Sequence, residues 1–182
     1  MKILVLGIGN LLFGDEGIGV HFINYMREKY RFESEHQLDF VDGGTLAQRL
    51  IPIIVEYDRL IIIDTINAPK VKAGEVYFFD FEAVPDAVDW QGSAHEVEML
   101  QTLTMMDLAG DRPETMIMGV VPTVIEVTEF SLSEAVNSAV PVMETTLLNY
   151  LETLGVTALQ QCEVDIQAIL PNSFRSIDAY SI

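Results

Sequence analysis

The sequence predicts an α/β sandwich, in which a five-stranded mixed sheet is covered by helices on both faces. Short apolar runs rich in β-branched residues alternate with segments of helical spacing, which is typical of α/β proteins. The apolar run at 60–63 has no polar alternation, which predicts a central strand covered on both faces. With 182 residues, 49% of them hydrophobic, the chain suits one domain over 1–182, with an irregular C-terminal tail from about residue 160.

The order of the predicted elements also indicates the direction of one strand. Strands are predicted at 2–6, 38–41, 60–64, 75–81 and 116–121, and the main helices at about 16–30, 46–57, 93–107 and 133–154. Only about ten residues separate the third strand from the fourth, which is short for a helical crossover. The strand at 75–81 is therefore expected to run antiparallel to the other four, at an edge of the sheet.

The composition excludes several classes of function. The net charge is −18, which argues against nucleic acids and anionic membranes as partners. Cys162 is the only cysteine, so a disulfide framework and a cysteine-rich zinc site are both excluded. The apolar run before Gly7 is too short for a signal sequence, and no stretch approaches the roughly 18 apolar residues of a membrane span. We expect a cytoplasmic, monomeric protein.

The first loop contains glycines and two carboxylates, which can be interpreted in three ways. A dinucleotide fingerprint requires a third glycine at position 12, where the chain has Leu12. Asp15 and Glu16 would also repel a phosphate from the start of the following helix, so this loop suits a cation better than an anion. The simplest alternative is that one of the two carboxylates caps the helix and complements its dipole.

Three side chains of metal-ligand type are predicted to lie at one edge of the sheet. Glu16 follows the first strand, Asp64 ends the third, and His95 lies in the first turn of a helix, where the dipole favours a neutral imidazole. Two carboxylates and one imidazole suit a divalent ion such as Zn, Ni or Mn. A helix cap, a turn residue and a packed histidine are the ordinary structural alternatives. Asp42 ends the second strand and is either a site residue or a turn residue.

Five segments of the chain occur in a combination that is specific, although each alone is not. They are Ile3–Gly19 (ILVLGIGNLLFGDEGIG), Asp42-Gly43-Gly44-Thr45, the apolar strand that ends in Asp64, Ser93-x-His95, and Gly119-Val120-Val121-Pro122. In this order they closely resemble the [NiFe]-hydrogenase maturation endopeptidase family. The resemblance extends over about residues 1–154 and implies nothing about the tail after Gly155.

The resemblance implies a mixed five-stranded sheet between helices and a protease activity. Members of this family remove a C-terminal extension from the precursor of the hydrogenase large subunit after nickel has been inserted. The resemblance implies metal ligands at Glu16, Asp64 and His95, with nickel supplied by the substrate as the divalent ion. No Ser/His/Asp or Cys/His nucleophile set is visible in the sequence, so a metal-dependent or aspartyl-type endopeptidase is expected. Asp42 could then orient or deprotonate a water molecule.

A second class of function uses the same three ligands without catalysis. Such a protein would be a nickel-sensing checkpoint that binds the precursor during hydrogenase maturation. Cleavage of a nickel-loaded precursor by the purified protein distinguishes the protease from the checkpoint protein. A nucleotide titration tests the dinucleotide-binding alternative.

The charge of the chain leads to a direct prediction about nucleic acids. With a net charge of −18 and no basic cluster, the protein should show no measurable retention of DNA or RNA at physiological ionic strength. A filter-binding or gel-shift assay measures this, and salt-dependent retention of either nucleic acid would contradict it.

Overall fold

A computed structural model describes residues 1–45, 47–67, 70–83, 94–123 and 131–170, without the side chains of 94–97. The strands are β1 (Lys2–Ile8), β2 (Tyr30–Glu33), β3 (Gln37–Gly44), β4 (Arg59–Thr65), β5 (Val76–Asp80), β6 (Glu114–Val120) and β7 (Thr157–Gln160). The α-helices are α1 (Ile18–Lys29), α2 (Ile51–Ile54), α3 (Ala94–Ala109) and α4 (Glu134–Thr153). Short 3₁₀ turns occupy Gly14–Gly17, Ala47–Leu50 and Phe81–Ala83.

Five strands form the main sheet in the order β3-β1-β4-β6-β5. The first four are parallel to their neighbours, whereas β5 pairs antiparallel with β6 at the edge. The mixed sheet and the antiparallel strand predicted from the sequence are therefore confirmed. The short link between β4 and β5 reverses the chain and leaves no room for a crossover helix.

Helices cover both faces of the sheet and make a three-layer sandwich. Successive residues of β4 point to opposite faces. Ile61 and Ile63 pack in one core cluster with α1 and α4. Leu60 and Ile62 pack in a second cluster with α3 and with the segment that contains α2. The central strand is therefore buried on both sides, as its continuous apolar run predicts.

The prediction of one helix over 46–57 is wrong in its length. Residues 47–50 form a 3₁₀ turn, and α2 is only four residues long. Pro52 lies in the first turn of α2, because proline has no N–H to donate and is tolerated only there. Ser93, the first residue of the Ser93-x-His95 segment, lies outside the described residues.

The last long helix agrees with the prediction at both ends. Ser133 is its N-cap, and the Ser133 hydroxyl accepts a hydrogen bond from the backbone N–H of Val136 at 3.2 Å. Gly155 follows the helix with φ of +78°, a conformation that favours glycine. Across the described ranges, no helix combines the length and the apolar composition needed to cross a bilayer.

A second, two-stranded sheet was not predicted. β2 and β7 pair antiparallel, directly after α1 and after α4. Residues 166–170 are helical, and the side chains of Ile166, Ile169 and Leu170 are buried in the core with α1 and α4. The expectation of an irregular tail is therefore wrong for residues 166–170, and residues 171–182 lie outside the described part of the chain.

A buried carboxylate joins α1 to α4 at the end of the molecule near β2. Glu144 accepts hydrogen bonds from the hydroxyls of Tyr25, at 2.6 Å, and Tyr30, and from the Lys29 ammonium at 2.9 Å. Burial alone would raise the pKa of Glu144. The hydrogen bonds from the two tyrosines and Lys29, together with the lysine charge, outweigh burial and hold that pKa below its ordinary value. Glu144 therefore stabilises the folded state as a carboxylate.

We expect Glu144→Gln to lower the free energy of unfolding at pH 7 by about 2 kcal/mol, because it leaves the partly buried Lys29 ammonium without its carboxylate. Glu152→Gln, at an exposed position of the same helix, should change it by less than about 0.5 kcal/mol. A carboxyl group whose pKa is lower in the folded state than in the unfolded chain stabilises the folded state at pH values above its unfolded pKa. For Glu144 that unfolded pKa is about 4.5. The Glu144→Gln difference should therefore shrink as pH falls below about 4.5, measured by urea denaturation. A constant difference down to pH 3 would contradict this assignment.

Candidate active site

The first loop and Asp64 meet because β1 and β4 are neighbouring parallel strands. Their register pairs Gly7 with Ile63, so Asp64 lies level with the last residue of β1. The loop that contains Glu16 begins directly after that residue. The carboxyl edge of the parallel strands, where α/β proteins bind their ligands, therefore holds both predicted carboxylates.

The start of α1 lies in direct contact with the ends of both strands. A Cβ added to Gly19 would be 2.2 Å from the carbonyl oxygens of both Ile8 and Ile63. A Cβ added to Gly7 would be 2.3 Å from the carbonyl oxygen of Gly19. Because such contacts are impossible for any side chain, glycine at these positions lets α1 approach the sheet.

Gly9 of the opening motif is also required by the fold of the chain. Gly9 has φ of +147°, and a Cβ there would be 1.8 Å from the carbonyl oxygen of Glu16. The N–H of Gly9 donates a hydrogen bond to the carbonyl oxygen of Gly44 at 3.0 Å. These glycines therefore pack the loop against the sheet, and this donor is not directed at a ligand phosphate.

Asp15 anchors the first loop to a distant part of the chain. Its side chain is only 5% exposed. Asp15 Oδ2 accepts hydrogen bonds from the backbone N–H and the hydroxyl of Thr123, at 2.9 and 2.8 Å, and Oδ1 accepts one from the N–H of Ser133 at 2.7 Å. Asp15 therefore holds the loop after β6 and the start of α4, and it does not cap its own helix.

Glu16 differs from Asp15 in its environment. It lies in the same 3₁₀ turn, but it is half-buried at the sheet edge. Asp15 already accepts the hydrogen bonds from Thr123 and Ser133, so Glu16 is not needed for that anchor. The sequence alone did not separate these two adjacent carboxylates, because the partners of Asp15 are more than 100 residues away along the chain.

Asp64 is the more deeply placed of the two candidate carboxylates. Its side chain is 7% exposed, and Oδ1 accepts a hydrogen bond from the N–H of Thr65 at 2.7 Å. A small apolar pocket, with room for little more than one water molecule, lies beside this carboxylate. Met99 and Leu103 of α3 form one wall of the pocket, and Ile117 of β6 contributes to its lining. The sequence analysis does not predict this pocket.

Gly119 faces the same edge from the neighbouring strand. It is the partner of Asp64 in the β4–β6 register. A Cβ on Gly119 would be 2.6 Å from Cγ2 of Ile66, whose N–H donates a hydrogen bond to the carbonyl oxygen of Val120 at 3.0 Å. Ile66 therefore folds over the end of β6, which explains the glycine of the Gly119–Pro122 motif.

Asp42 lies two residues before the end of β3, on the other side of β1, where it is level with Gly7. The alternation along β3 places it on the α1 face, together with Phe40, whereas Asp64 lies on the α3 face. Burial raises the pKa of Asp42, although a hydrogen bond from the N–H of Gly44 to Oδ1 at 2.9 Å opposes that shift. The structure does not bring Asp42 and Asp64 together on one face.

The described side chains do not by themselves make a three-ligand metal site. His95 is the second residue of α3, one helical turn before Met99, and its side chain lies outside the described part of the structure. His21 is a buried histidine of the core, and burial lowers its pKa to about 4. His21 is therefore neutral at pH 7.

The fold and the carboxylate-bearing edge define an α/β protein with its site beyond the ends of the parallel strands, and the similarity to known proteins then identifies the family. Residues 20–150 match the family model of the hydrogenase maturation proteases (HycI). The chain is 50% identical to Protein HydD of Wolinella succinogenes over 157 residues, which are 86% of this chain and 99% of that protein. It is 30% identical to the Hydrogenase 2 maturation protease of Escherichia coli K12 over 161 residues, 87% of this chain and 96% of the relative.

Solved structures agree with this assignment. The hydrogenase maturating endopeptidase HybD of E. coli superposes with a TM-score of 0.78 and 29% sequence identity, over 88% of this chain and 98% of HybD. The [NiFe] hydrogenase maturation protease HybD of Thermococcus kodakarensis gives a TM-score of 0.59, also at 29% identity, over 80% of this chain and 99% of that one. The chain therefore belongs to the hydrogenase maturation protease family, whose members are endopeptidases.

We expect Asp15→Ala to lower the free energy of unfolding by about 3 kcal/mol, or roughly 6–12 °C in thermal midpoint for a domain of this size, because three donors of Thr123 and Ser133 lose their acceptor. Glu16→Ala, one residue further along, should change it by less than about 1 kcal/mol. Thermal unfolding of the two variants measures the contrast. Equal losses would mean that Asp15 is not the anchor of the loop.

Proposed function

We propose that this protein is an endopeptidase that removes the C-terminal extension of the nickel-loaded [NiFe]-hydrogenase large-subunit precursor and recognises the substrate through its metal. The observation that supports this proposal is that the loop of Glu16 and the carboxylate of Asp64 meet at the carboxyl edge of the sheet. The family assignment supports the protease activity. Action in the cytoplasm, as a monomer, is part of the same proposal.

The proposed metal ligands are Glu16, Asp64 and His95. The first two come from neighbouring strand ends, and His95 lies in the α3 backbone one turn before Met99, a residue that lines the pocket beside Asp64. Two hard carboxylate oxygens and one imidazole leave positions open in the shell of a divalent ion. Such a site would hold metal weakly by itself and would complete its shell around nickel already bound to substrate thiolates. The protease would therefore act only on a finished precursor.

The hydrolysis step requires an activated water molecule. Metal at this site would polarise the scissile carbonyl or lower the pKa of a bound water. The sequence analysis names Asp42 as a group that could orient or deprotonate this water. Asp42 lies on the α1 face of the sheet, whereas Asp64 lies on the α3 face, so Asp42 is not assigned this role in the proposed step.

The alternative function is a nickel-sensing checkpoint protein that binds the same precursor without cleaving it. Its site would need the same three ligands but no hydrolytic water. Incubating the purified protein with nickel-loaded and nickel-free precursor separates the two functions. The protease shortens only the nickel-loaded form, whereas the checkpoint protein binds it and leaves its length unchanged.

We expect His95→Ala to abolish cleavage of the nickel-loaded precursor and to leave the thermal midpoint within about 2 °C of wild type, because a ligand in an open cleft contributes little to the core. His36→Ala is the matched control, because His36 precedes β3 at the opposite end of the sheet. The His36→Ala protein should cleave the precursor at the wild-type rate. Mass spectrometry of the precursor and thermal unfolding give the two readouts.

The opposite pattern would contradict the assignment of His95. If His95→Ala loses much of its stability but retains cleavage, then His95 is a packed structural histidine. If His36→Ala also loses cleavage, the loss is not specific to the proposed site.

A further inference from the structure

We infer that Gln167 is a positioning residue for the first loop. It fixes the peptide group that binds Asp15, and through Asp15 it fixes the turn that presents Glu16. Gln167 lies in the helical residues 166–170, beyond the residues 20–150 that the family model matches. The expected effect on cleavage rests on the proposed function, in which Glu16 is a metal ligand, whereas the restraint on the loop is a property of the fold.

The helix at 166–170 is itself fixed to the core. Asp165 precedes it and caps it, because Oδ1 of Asp165 accepts a hydrogen bond from the N–H of Gln167 at 2.9 Å. Three apolar side chains recur at helical spacing and are buried in the cluster with α1 and α4, namely Ile166, Ile169 and Leu170. The half-buried side chain of Gln167 therefore extends from a backbone that has little freedom to move.

Gln167 contacts the peptide group between Leu132 and Ser133, just before α4. Nε2 of Gln167 donates a hydrogen bond to the carbonyl oxygen of Leu132 at 3.0 Å. The N–H of the same peptide group, which belongs to Ser133, donates to Oδ1 of Asp15 at 2.7 Å. A trans peptide group is planar, and its C=O and N–H point in opposite directions. The two hydrogen bonds therefore hold one rigid unit from both ends, and Gln167 fixes the direction in which the N–H points.

The hydrogen bond from Gln167 also strengthens the one that Asp15 accepts. A donor at the carbonyl oxygen polarises the peptide group and makes its N–H a stronger donor, especially where water is excluded. Leu132 and Asp15 are each 5% exposed, so little water is available to replace Gln167 at this carbonyl. Loss of the Gln167 donor would allow the peptide group to turn, and the N–H of Ser133 would then move away from Asp15.

Asp15 transmits this restraint to the candidate site, because it directly precedes Glu16 in the same 3₁₀ turn. Three hydrogen bonds hold the turn to distant segments through Asp15, two from Thr123 and one from Ser133. Gln167 controls the hydrogen bond from Ser133. A displacement of roughly 1 Å at a reacting group can lower a rate roughly 100-fold, so weakening one of the three restraints is expected to lower cleavage measurably.

The first arm of the experiment observes the loop of the full-length protein by NMR, without substrate or metal. Gln167→Met removes the donor but keeps the length and the neutral charge of the side chain. We expect the amide proton of Ser133 to move upfield, because its short hydrogen bond to Asp15 lengthens, and the amide peak of Glu16 to shift as well. The amide peak of Ile62, in the central strand, should stay in place. These shifts report the native state, so a loss of global stability alone would not produce them.

The second arm measures cleavage of the nickel-loaded precursor. Gln167→Met should lower kcat/KM by about 10-fold at a temperature where thermal unfolding shows that the variant is folded. Gln167→Lys keeps an N–H donor of similar reach and should remain within about 3-fold of wild type. Gln161→Met is the matched control, because Gln161 is an exposed glutamine whose Nε2 lies 3.4 Å from the carbonyl oxygen of Leu159 in β7. This control should change neither the amide shifts of Ser133 and Glu16 nor the rate of cleavage.

Three outcomes overturn the inference. Unchanged shifts of Ser133 and Glu16 in folded Gln167→Met would show that Gln167 does not fix the loop. A shift at Ser133 with wild-type cleavage would show that the restraint does not position Glu16 for the reaction. Equal losses of cleavage in Gln167→Met and Gln167→Lys would show that the donor is not the cause.

A failure of the proposed function gives a different result. If the wild-type protein cleaves no precursor, the proposed function is wrong, and the amide shifts of Ser133 and Glu16 alone decide whether Gln167 positions the loop. If Gln167→Met does not fold, Gln167→Asn replaces it in both arms, because the shorter side chain does not reach the carbonyl oxygen of Leu132.

Discussion

The contact of Gly19 with the ends of β1 and β4 is the constraint on which the candidate site depends. The carbonyl oxygens of Ile8 and Ile63 lie where a side chain of residue 19 would be. Because α1 can come this close, the loop before it is compressed against the carboxyl edge of the sheet. Any side chain at this position would force α1 away and would move Glu16 away from Asp64.

Burial and hydrogen bonding give neighbouring carboxylates different roles at this edge. Asp15 is buried and accepts three hydrogen bonds from segments that follow β6, so it is committed to structure. Glu16 is half-buried at the same turn. The anchor therefore fixes the loop, so Glu16, which is proposed as a metal ligand, would lose little freedom on binding.

The helix α3 runs from the position of the proposed ligand His95 along the sheet face that carries Asp64. His95 lies in its first turn, and Met99 and Leu103 follow at helical spacing and line the pocket beside Asp64. Both residues are buried in the core cluster on this face of the sheet. The same side chains reach the edge of the core, where they line the small pocket beside Asp64.

The sequence by itself determined the elements whose signals are local. The unbroken apolar run of β4 indicated a central strand, and the short link to β5 indicated its antiparallel direction. The family followed from the order of several short motifs, which needs no knowledge of contacts. These features depend on residues close together in the chain, so the chain order alone is sufficient to find them.

The tertiary structure decided the features that depend on distant residues. The β2–β7 pair joins segments more than 120 residues apart, and its four-residue strands have too little periodicity to be recognised, although Tyr30-Arg31-Phe32-Glu33 does alternate. The partners of Asp15, the opposite faces of Asp42 and Asp64, and the pocket beside Asp64 likewise follow only from the sheet register and helix packing. Sequence periodicity shows that a side chain is buried, but only the packed fold determines what it contacts.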